Sequence, residues 1–388
     1  MSKVKMGDIC DFYNGGAWSD KEYVTSGLPV LKVSNCKNSG FQIEEVNFLP
    51  VGSKEKYAKN KLYKGDVIIA TVGSHPNLIE SAAGRSYVVN SLVEGFYLNQ
   101  NAVCLRTKDK EILNQEYLGY LCKEKSFQHF IQNKGRGAAS QMRIAIGGIK
   151  EYEFNLPDID IQRRISAILI AYDGLIENNQ KQIKLLEEAA QRIYKEWFVD
   201  LHFPGYEDVK IVDGLPEGWQ KVSLTEIAPI VTGKKDANFG TENGPYMFFT
   251  CAQEPIKAPS YSFDCDAVIL AGNGDFNVKL FRGQFEAYQR TYVFSPYDSN
   301  NLYLLYYAVK DNMRQLFQGA SGSTIKFLTK RMLEEIMIHI PDENTLETFT
   351  KYCESYQKKI EILNKQITVA KEARDRLFPK LMSGEIEV

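Results

Sequence analysis

The chain has 388 residues, of which 44% are hydrophobic and 25% charged, as expected for a globular protein with two or three domains and sizeable buried cores. It contains no run of 18 apolar residues and no signal-peptide pattern, so we expect a cytoplasmic protein that does not enter a membrane. A net charge of −2 argues against a strongly basic nucleic-acid binder, and seven scattered cysteines without a Cys-x-x-Cys pair favour reduced thiols over disulfides or a zinc site.

The first globular part is predicted to span residues 1–157. After the opening "VKMGDICDFYNGG", β-rich runs such as "LPVLKVS" and "DVIIATV" stand between Gly, Pro, Asn and Asp residues and indicate strands. Residues 113–132 have the periodicity of a helix, which leads into the glycine-rich loop "NKGRGAAS". With 20 Lys and Arg against 16 Asp and Glu, this part carries a formal charge of +4.

A long helix is predicted over residues 158–200, followed by a linker over 201–214. Its apolar residues recur about every 3.6 positions, as they do on one face of an α-helix. The stripe is Ile168, Tyr172, Leu175, Asn179, Ile183, Leu186, Ala190, Ile193 and Trp197. Asn179 either fixes the register of a helix pair at some cost in stability or is an ordinary solvated or capped polar residue.

At residue 215 the chain begins a second time. The segment "LPEGWQKVSLTEIAPIVTGKK" repeats the spacing of apolar residues that precedes the first glycine loop. It opens a second globular part over 215–341, with strand-like runs such as "YMFFT" and "AVILA", a helix over 301–318 and the loop "GASGST". Residues 206–341 hold 13 cations against 16 carboxylates, so this part is net acidic.

A second long helix, with the C-terminal tail, is predicted over residues 342–388. Its stripe alternates steps of three and four residues, which is the pattern of a coiled coil. Arg374 interrupts that stripe, and Pro379 is expected to end the helix near Phe378 because proline has no backbone N–H to donate.

The two halves of the chain are predicted to be a duplication. A shift of 184 residues aligns 135–198 with 319–382 without a gap and with 13 identities in 64 positions. The alternative is two unrelated helices of similar composition. Shared helical composition would account for some of these identities, but not for the "PD" that begins each helix or for the glycine loop before it. Nearer the front, "KGDVIIATVGS" resembles "DCDAVILAGNG", with Asp66 matched to Asp266.

Two apolar stripes of this length cannot remain in water, and neither globular part is long enough to cover one. The sequence therefore predicts an α+β protein whose two helices, each about 55–60 Å long, pack as an antiparallel coiled coil with a globular part at each end and a pseudo-two-fold repeat. The predicted packing residues are Tyr172, Ile176, Asn179, Ile183, Leu186, Tyr356, Ile360, Leu363 and Ile367.

No catalytic motif is found along the chain. The string "VTGKK" lacks the upstream glycine and the hydroxyl of a phosphate loop, and "SPYD" lacks the second proline of an amino-methyltransferase motif. The four histidines show no metal-ligand spacing. We therefore expect no metal site, no cofactor and no catalysis in this chain.

The order of globular part, long helix, globular part and long helix, with "LPEGW" opening the second half and "LMSGE" closing the chain, resembles the specificity subunit of type I restriction–modification enzymes. The resemblance covers essentially the whole chain, and its moderately specific segments are "LPEGWxxxxL" and "GASGSTIKFL". It implies that 1–157 and 215–341 are target-recognition domains, each binding one half of an asymmetric bipartite site in double-stranded DNA. It also implies that the helices set the spacer between the two halves.

The same resemblance implies partner subunits. Two adenine-methyltransferase subunits would dock on the helices and bind S-adenosylmethionine, and separate ATP-dependent restriction or translocase subunits would use ATP and Mg²⁺. The charge near zero predicts weak DNA binding by this chain alone. The competing function is a two-headed coiled-coil scaffold that binds proteins rather than DNA, and neighbouring genes for a methyltransferase and a translocase would decide against it.

Phosphate contacts require cations, hydroxyls and free backbone N–H groups. The candidate segments are 54–64, the repeat-related loops 133–143 and 319–331, and 232–239 with its equivalent 14–23. The first of these segments is otherwise an ordinary solvated helix face, and the loops otherwise serve as helix N-caps.

Base readers usually come from Arg, Lys, Asn and Gln. The candidates here are Asn14, Gln141, Lys234 and Arg290. The full predicted DNA-binding set is Lys54, Lys56, Lys59, Lys61, Lys134, Arg136, Ser140, Gln141, Arg143, Lys234, Lys235, Arg290, Ser323, Thr324, Lys326, Lys330 and Arg331.

Overall fold

The structure, a computed structural model, describes residues 2–37, 40–73, 83–138, 141–274, 276–320 and 326–388. It divides into two compact units. Unit 1 comprises Met1–Ile176 together with Thr368–Val388, and unit 2 comprises Glu177–Ile367. Each unit therefore contains one globular part and a portion of both long helices.

Unit 1 combines short, mostly antiparallel strands with helices. Its strands are β1 Ser2–Lys5, β2 Cys10–Asn14, β3 Leu28–Leu31, β4 Cys36–Lys37, β5 Gly40–Phe41, β6 Asn47–Leu49, β7 Val67–Ala70, β8 Val72–Gly73, β9 Ser86–Val88, β10 Tyr97–Leu98, β11 Ala102–Thr107, β12 Arg136–Ala138, β13 Gln141–Arg143 and β14 Glu153–Leu156. Its helices are α1 Met6–Ile9, α2 Gln115–Leu121, α3 Lys125–Asn133, α4 Ile146–Lys150 and the first part of α5 Ile159–Tyr194, with 3-10 turns at Asp20–Glu22, Val33–Asn35, Val51–Ser53 and Ala58–Asn60.

The centre of unit 1 is the four-stranded sheet β2-β11-β7-β9. Val67 and Ile69 of β7 pack on one face, in a core that also holds residues of α2 and α3. Ile68 packs on the opposite face, in a second core. Because both faces of the sheet are covered, the strand reads as an unbroken apolar run rather than an alternating one.

Unit 2 is built around one larger sheet. Its strands are β15 Ile211–Val212, β16 Leu215–Pro216, β17 Gln220–Ser223, β18 Val231–Thr232, β19 Tyr246–Phe249, β20 Ile256–Ala258, β21 Phe263–Ala271, β22 Val278–Ala287, β23 Thr291–Phe294 and β24 Met337–Ile340. Its helices are α6 Leu224–Ile227, α7 Leu302–Gly319, α8 Lys330–Glu334, the rest of α5 and most of α9 Glu343–Ser383, with shorter turns at Lys195–Val199, Tyr206–Asp208, Ala237–Phe239 and Ser299–Asn301.

The predicted duplication is confirmed element by element. In unit 1, β1 pairs with β14 immediately before α5, and in unit 2, β17 pairs with β24 immediately before α9. A four-residue helix follows the first strand of each pair: α1 follows β1, and α6 follows β17. The sheet order β2-β11-β7 of unit 1 recurs as β18-β23-β21 in unit 2. The α+β class and the long helices are confirmed as well.

The predicted match of Asp66 with Asp266 is wrong by one residue. Ala70 and Ala271 hold equivalent positions, because each faces the first residue of the neighbouring strand, β11 or β23. Counting back along the strand, Asp66 is equivalent to Ala267. Successive strand residues point to opposite faces, so the two aspartates have different environments: Asp66 is buried against an arginine of β11, whereas Asp266 is partly exposed.

Within unit 1, the beginning of α5 packs against the end of α9. Ile165 and Leu169 share one core with Leu381. One turn farther along α5, the Asp173 carboxylate accepts a hydrogen bond from Arg374 at 2.7 Å. Later residues of α5 thus meet earlier residues of α9, and the two helices are antiparallel here.

Within unit 2, the remaining portions of the helices follow the same rule. The amide of Asn179 donates to Gln366 Oε1 at 3.2 Å, whereas the ring of Tyr194 lies 6.3 Å from that of Phe349. The antiparallel pairing that the sequence predicts is confirmed within each unit. Asn179 is buried, so it is not the solvated residue of the alternative interpretation.

Two details of the long helices differ from expectation. Pro379 lies inside α9, which continues to Ser383 and is followed by Gly384 in the left-handed region at φ +77°. The helix continues because Leu381 is buried in the unit 1 core, which outweighs the hydrogen bond lost at proline. On α5, Leu175 is exposed although it was predicted on the stripe, and Ile176 is buried beside it.

The "LPEGW" motif and the "PD" entry of α9 meet in unit 2. The buried Trp219 donates its indole N–H to the Asp342 carboxylate at 3.3 Å. The backbone N–H of Thr345 donates to the same carboxylate at 3.0 Å, which makes Asp342 the N-cap of α9. Burial raises the pKa of Asp342, but the hydrogen bonds from Thr345 and Trp219 outweigh it and hold the pKa below its usual value of 3.8.

Candidate nucleic-acid interface

A polar cleft of about 830 Å³ opens in unit 1 beside the β12–β13 hairpin. The hairpin is attached to the sheet by β8, which pairs with β13. The polar and charged residues around the cleft come from the end of β2, the junction of β7 and β8, the turn before β11, the hairpin region and the end of α4. They include Asn14, Thr71, Gln100, Asn101, Lys134, Arg136, Arg143 and Glu151.

Three main-chain hydrogen bonds fix the floor of this cleft. Gly15 donates to the Ala102 carbonyl at 3.0 Å, and Thr71 donates to the Asn101 carbonyl at 2.8 Å. Ile144 then donates to the Thr71 carbonyl at 2.8 Å, which holds the hairpin to the sheet. Residue 15 must be glycine, because a Cβ there would overlap the main-chain carbonyl of Asn99.

Two arginines face each other across the hairpin without a carboxylate partner in the described part of unit 1. Arg136 in β12 lies directly opposite Arg143 in β13, and both are exposed. Among the described residues, neither guanidinium forms an ion pair, whereas the neighbouring Lys134 binds Glu151 at 2.6 Å and lowers the pKa of that carboxyl. Like charges opposite each other destabilise a strand pair, so this arrangement favours a site that an anion occupies.

The charge around the cleft is positive. Lys134, Arg136 and Arg143 contribute three positive charges and Glu151 one negative charge, which leaves +2 among the charged residues that line it. Exposed guanidinium groups of this kind bind phosphates, often in a bidentate manner.

Unit 2 contains a smaller cleft of about 370 Å³ on the same main-chain frame. Gly233 donates to the Thr291 carbonyl at 3.1 Å, and Gly272 donates to the Arg290 carbonyl at 2.9 Å. Leu328 donates to the Gly272 carbonyl at 2.8 Å, as Ile144 does to Thr71 in unit 1. A side chain at position 233 would also overlap a main-chain carbonyl, that of Ala287.

The side chains of the second cleft are different. It is lined by Thr232, Gln289, Arg290, Tyr292 and Phe327 besides the frame residues. Gln289 donates to Asp236 at 2.8 Å, and Tyr292 donates its hydroxyl proton to the Leu328 carbonyl at 2.9 Å. Arg290 is exposed, and its side chain forms no hydrogen bond or ion pair within the described part of unit 2.

The predicted lysines of segment 54–64 do not line the unit 1 cleft. They do not lie on a helix face: Lys59 is part of the 3-10 turn Ala58–Asn60, and the others lie in the loop residues that adjoin the two 3-10 turns. Lys54 and Lys59 are exposed. Lys56 binds Glu22 at 3.2 Å, and Lys61 lies over the ring of the tyrosine two residues later. The segment nevertheless abuts the cleft, since Asn60 donates its amide N–H to the Asn14 carbonyl at 2.8 Å.

The predicted cations of unit 2 are largely engaged within the unit. Lys235 and Lys326 lie over phenylalanine rings at 4.4 and 4.2 Å, and Lys330 and Arg331 pair with glutamates four residues on. Lys234 is exposed with no partner in the described part of the unit. Of the predicted cations in unit 2, Arg290 lines the cleft and the other five do not.

Several predicted residues remain outside this description. Ser140, Ser323 and Thr324 lie outside the described residues. Gln141 contributes its backbone to β13, but its side chain also lies outside the described part. Within the described ranges, no group of three or more His, Cys, Asp and Glu residues is placed to hold a metal ion, and no helix is long and apolar enough to cross a membrane.

The predicted packing residues of the long helices are buried or half-buried. Ile176, Asn179, Ile360, Leu363 and Ile367 are buried. The half-buried members are Tyr172, Ile183, Leu186 and Tyr356.

Sequence reasoning selects Arg290 but misses Gln289 beside it and the equivalent turn before β11. Gln100 and Asn101 form it in unit 1, and Gln289 with Arg290 forms it in unit 2. The shared glutamine in "LNQNAV" and "AYQRTYV" is a signal of equivalence, but it needs an offset of 189 residues. The shift of 184 residues that aligns the ends of the two halves passes over it.

A family model described as "Type I restriction modification DNA specificity domain" matches residues 1–188 and 216–372. The type I restriction enzyme EcoDI specificity subunit of Escherichia coli is 35% identical over 179 residues, which make up 44% of this chain and 39% of that protein. The type I restriction enzyme MjaIX specificity subunit of Methanocaldococcus jannaschii is 25% identical over 310 residues, or 72% of this chain and 71% of that protein.

One solved structure shares the fold. The crystal structure of the S subunit of a type I restriction–modification system from M. genitalium superimposes with a TM-score of 0.62 at 16% sequence identity. The match covers 98% of this chain and 96% of that chain.

Proposed function

The chain belongs to the type I restriction–modification DNA specificity family, and we propose that its two units each bind one half of an asymmetric, bipartite site in double-stranded DNA. The observation that carries this proposal is the repeated cleft. One main-chain frame, fixed by the same three hydrogen bonds, occurs in both units with different polar side chains. A common frame supports a common class of ligand, and different side chains support different base sequences.

The phosphate backbone is the partner that the charge of unit 1 fits best. The opposed Arg136 and Arg143 have no carboxylate to neutralise them among the described residues, and a phosphate between or beside them relieves their repulsion. Unit 2 has alanine and phenylalanine at the matching positions, Ala320 and Phe327, so we expect it to contribute less to affinity.

Selection from randomised duplexes tests this function. The full chain, alone and with the methyltransferases of its host, is incubated with random DNA, and the bound molecules are sequenced. We expect two short blocks of specified base pairs with different sequences, separated by an unspecified stretch of constant length. Recovery of a single block, or of no enriched sequence under either condition, refutes the proposal.

Two adenine-methyltransferase subunits, together with ATP-dependent restriction or translocase subunits, complete the proposed assembly. In this assembly S-adenosylmethionine, ATP and Mg²⁺ belong to the partners, and this chain is a non-catalytic cytoplasmic subunit. Exposed apolar residues on the long helices support a docking role: Leu175 in unit 1, and Leu185 and Ile362 in unit 2. Covering such side chains is favourable by roughly 25 cal/mol per Å² of apolar surface.

Co-purification tests the docking role. The double variant Leu185→Glu, Ile362→Glu is expressed with the host methyltransferase, and Gln180→Glu, an exposed polar position on α5, serves as the control. We expect the methyltransferase to be lost from the double variant and retained by the control. Full retention in both variants contradicts the docking role while leaving DNA binding untouched.

A further inference from the structure

Each cleft has an equivalent two-residue corner, in which the first residue is the same in both units and the second differs. The corner is the turn before β11 in unit 1 and before β23 in unit 2. Gln100 and Gln289 are its first residues, and Asn101 and Arg290 are its second. The two second residues are equivalent in the structure. The Asn101 carbonyl accepts a hydrogen bond from the N–H of Thr71, which follows β7, and the Arg290 carbonyl accepts one from the N–H of Gly272, which follows β21.

We propose that Asn101 and Arg290 are the principal base-reading side chains of their units, Asn101 for an adenine and Arg290 for a guanine. This assignment rests on the proposed function. The main-chain frame and the preceding glutamine are the same in both units, so neither can distinguish two half-sites. Within this corner, the second residue is the one that changes and can therefore distinguish them.

Both side chains are free to contact a ligand. Within the described residues, neither the Asn101 amide nor the Arg290 guanidinium forms a hydrogen bond or an ion pair. Main-chain hydrogen bonds hold both corners in place, and in unit 2 the neighbouring Gln289 and Tyr292 are also held, by Asp236 and the Leu328 carbonyl. A free polar group on a rigid frame is the arrangement that selective recognition requires, since little of the frame has to be ordered on binding.

The backbone of Asn101 adds a second argument. Its φ of +77° lies in the left-handed region, where glycine is the least strained residue and asparagine is among the better tolerated of the others. Strain at a cleft-lining position is a pointer to function when the side chain has no structural role. The Asn101 side chain has no structural partner among the described residues, so the amide itself is the feature to be explained.

The chemistry of the two side chains gives the bases. In the major groove, an asparagine amide both donates to and accepts from adenine, at N6 and N7, whereas an arginine donates twice to guanine, at O6 and N7. Arg136 and Arg143 are assigned to phosphate instead, because they lie opposite each other on a hairpin. The unit 1 site therefore includes an adenine and the unit 2 site a guanine at the position that this corner contacts.

Reciprocal substitution tests the assignment. The full chain carries Asn101→Arg in one variant and Arg290→Asn in another, and the modified adenines of the host genome are mapped by single-molecule sequencing. We expect one base of the first half-site to change from A to G in Asn101→Arg, and one base of the second to change from G to A in Arg290→Asn. Each preference shifts by roughly 5- to 150-fold, which corresponds to one good bidentate contact. The unaltered half-site is the internal control in each variant.

A third variant separates recognition from folding. Asn101→Gly suits the positive φ and removes only the amide, so we expect an unchanged or higher melting temperature together with relaxed selection at one base. Arg314→Asn, an exposed arginine of α7 outside the cleft, controls for the loss of charge in unit 2.

The outcomes are distinguishable. Unchanged half-site sequences in Asn101→Arg and Arg290→Asn overturn the assignment while leaving the proposed function intact. A weaker salt dependence in Arg290→Asn with the same sequence preference shows a phosphate contact, which also overturns it. If the wild-type chain directs no modification to any bipartite site, the proposed function fails and the assignment fails with it.

Discussion

Replacing Arg136 and Arg143 together with alanine separates the affinity of unit 1 for DNA from its stability. The two guanidinium groups face each other on the β12–β13 hairpin without a carboxylate partner among the described residues. If each neutralises one phosphate, the double variant releases two fewer counterions on binding. The slope of log K against log salt concentration then becomes shallower by about 1.8, since each phosphate contact contributes about 0.9.

This slope translates into a measurable difference. Between about 50 and 200 mM salt, a fourfold change, the wild-type protein loses about 12-fold more affinity than the double variant, because 4 raised to the power 1.8 is about 12. Fluorescence anisotropy with a labelled duplex and the full chain measures both slopes. The melting temperature is expected to remain or to rise, because removing a like-charged pair relieves roughly 0.2–1 kcal/mol.

Arg163→Ala is the matched control. Arg163 is also a partly exposed arginine of unit 1, but it binds Glu111 at 3.1 Å and does not line the cleft. We expect its slope to match that of the wild type within error. If the double variant keeps the wild-type slope, or if Arg163→Ala lowers the slope equally, the two opposed arginines are not the phosphate contact.

Three further predictions concern the helices. Asn179→Leu replaces the buried amide that pairs with the exposed Gln366, and thermal unfolding is expected to show a free energy of unfolding about 1 kcal/mol higher. A clear loss of stability contradicts the interpretation that this polar pair fixes the register of the helices at a cost in stability. Asp342→Ala is expected to cost about 1 kcal/mol at pH 7. Because the pKa of Asp342 is lowered in the folded chain, the stability that this carboxylate contributes is complete above pH 3.8 and is lost as the pH falls through the folded-state pKa. The difference in unfolding free energy between Asp342→Ala and the wild type therefore shrinks in acid, and a constant difference would falsify the role of the Asp342 carboxylate as N-cap. Deleting residues 180–186 together with 359–365 removes one heptad, about 10 Å, from each long helix, and mapped methylation is expected to show a shorter spacer or no modified site; methylation at the original spacing contradicts the proposal that the helices set the spacer.

The sequence predicts the fold well wherever long patterns repeat. The alternating stripe of α9 and the apolar run of β7 are strong signals, because they report burial that extends over many residues. The predicted helix end at Pro379 is wrong because tertiary contacts outweigh the local preference: the burial of Leu381 stabilises the helix beyond the proline. The match of Asp66 with Asp266 is wrong by one residue because similar residue types do not report strand register, which only pairing with a neighbouring strand reveals.

The candidate site was predicted in part. Arg136, Arg143, Lys134 and Arg290 were selected for their charge, and they do line the clefts. The lysines of segment 54–64 were selected for the same reason and do not, because composition alone cannot tell which surface a cation faces. Asn101 carries no charge, and what distinguishes it is a backbone angle and a main-chain hydrogen bond that no sequence pattern displays.

Unit 1 is discontinuous in sequence, and this has a consequence for its synthesis. Its core contains Leu381, which the ribosome adds 205 residues after Ile176, the last residue of the unit's first segment (381 − 176 = 205). At about 5–20 residues per second, the earlier segment waits roughly 10–40 s for its final helix, whereas unit 2 emerges as one uninterrupted stretch. The part of the molecule that is translated first is therefore the last to be completed, and nascent unit 1 is the portion that most needs protection from aggregation.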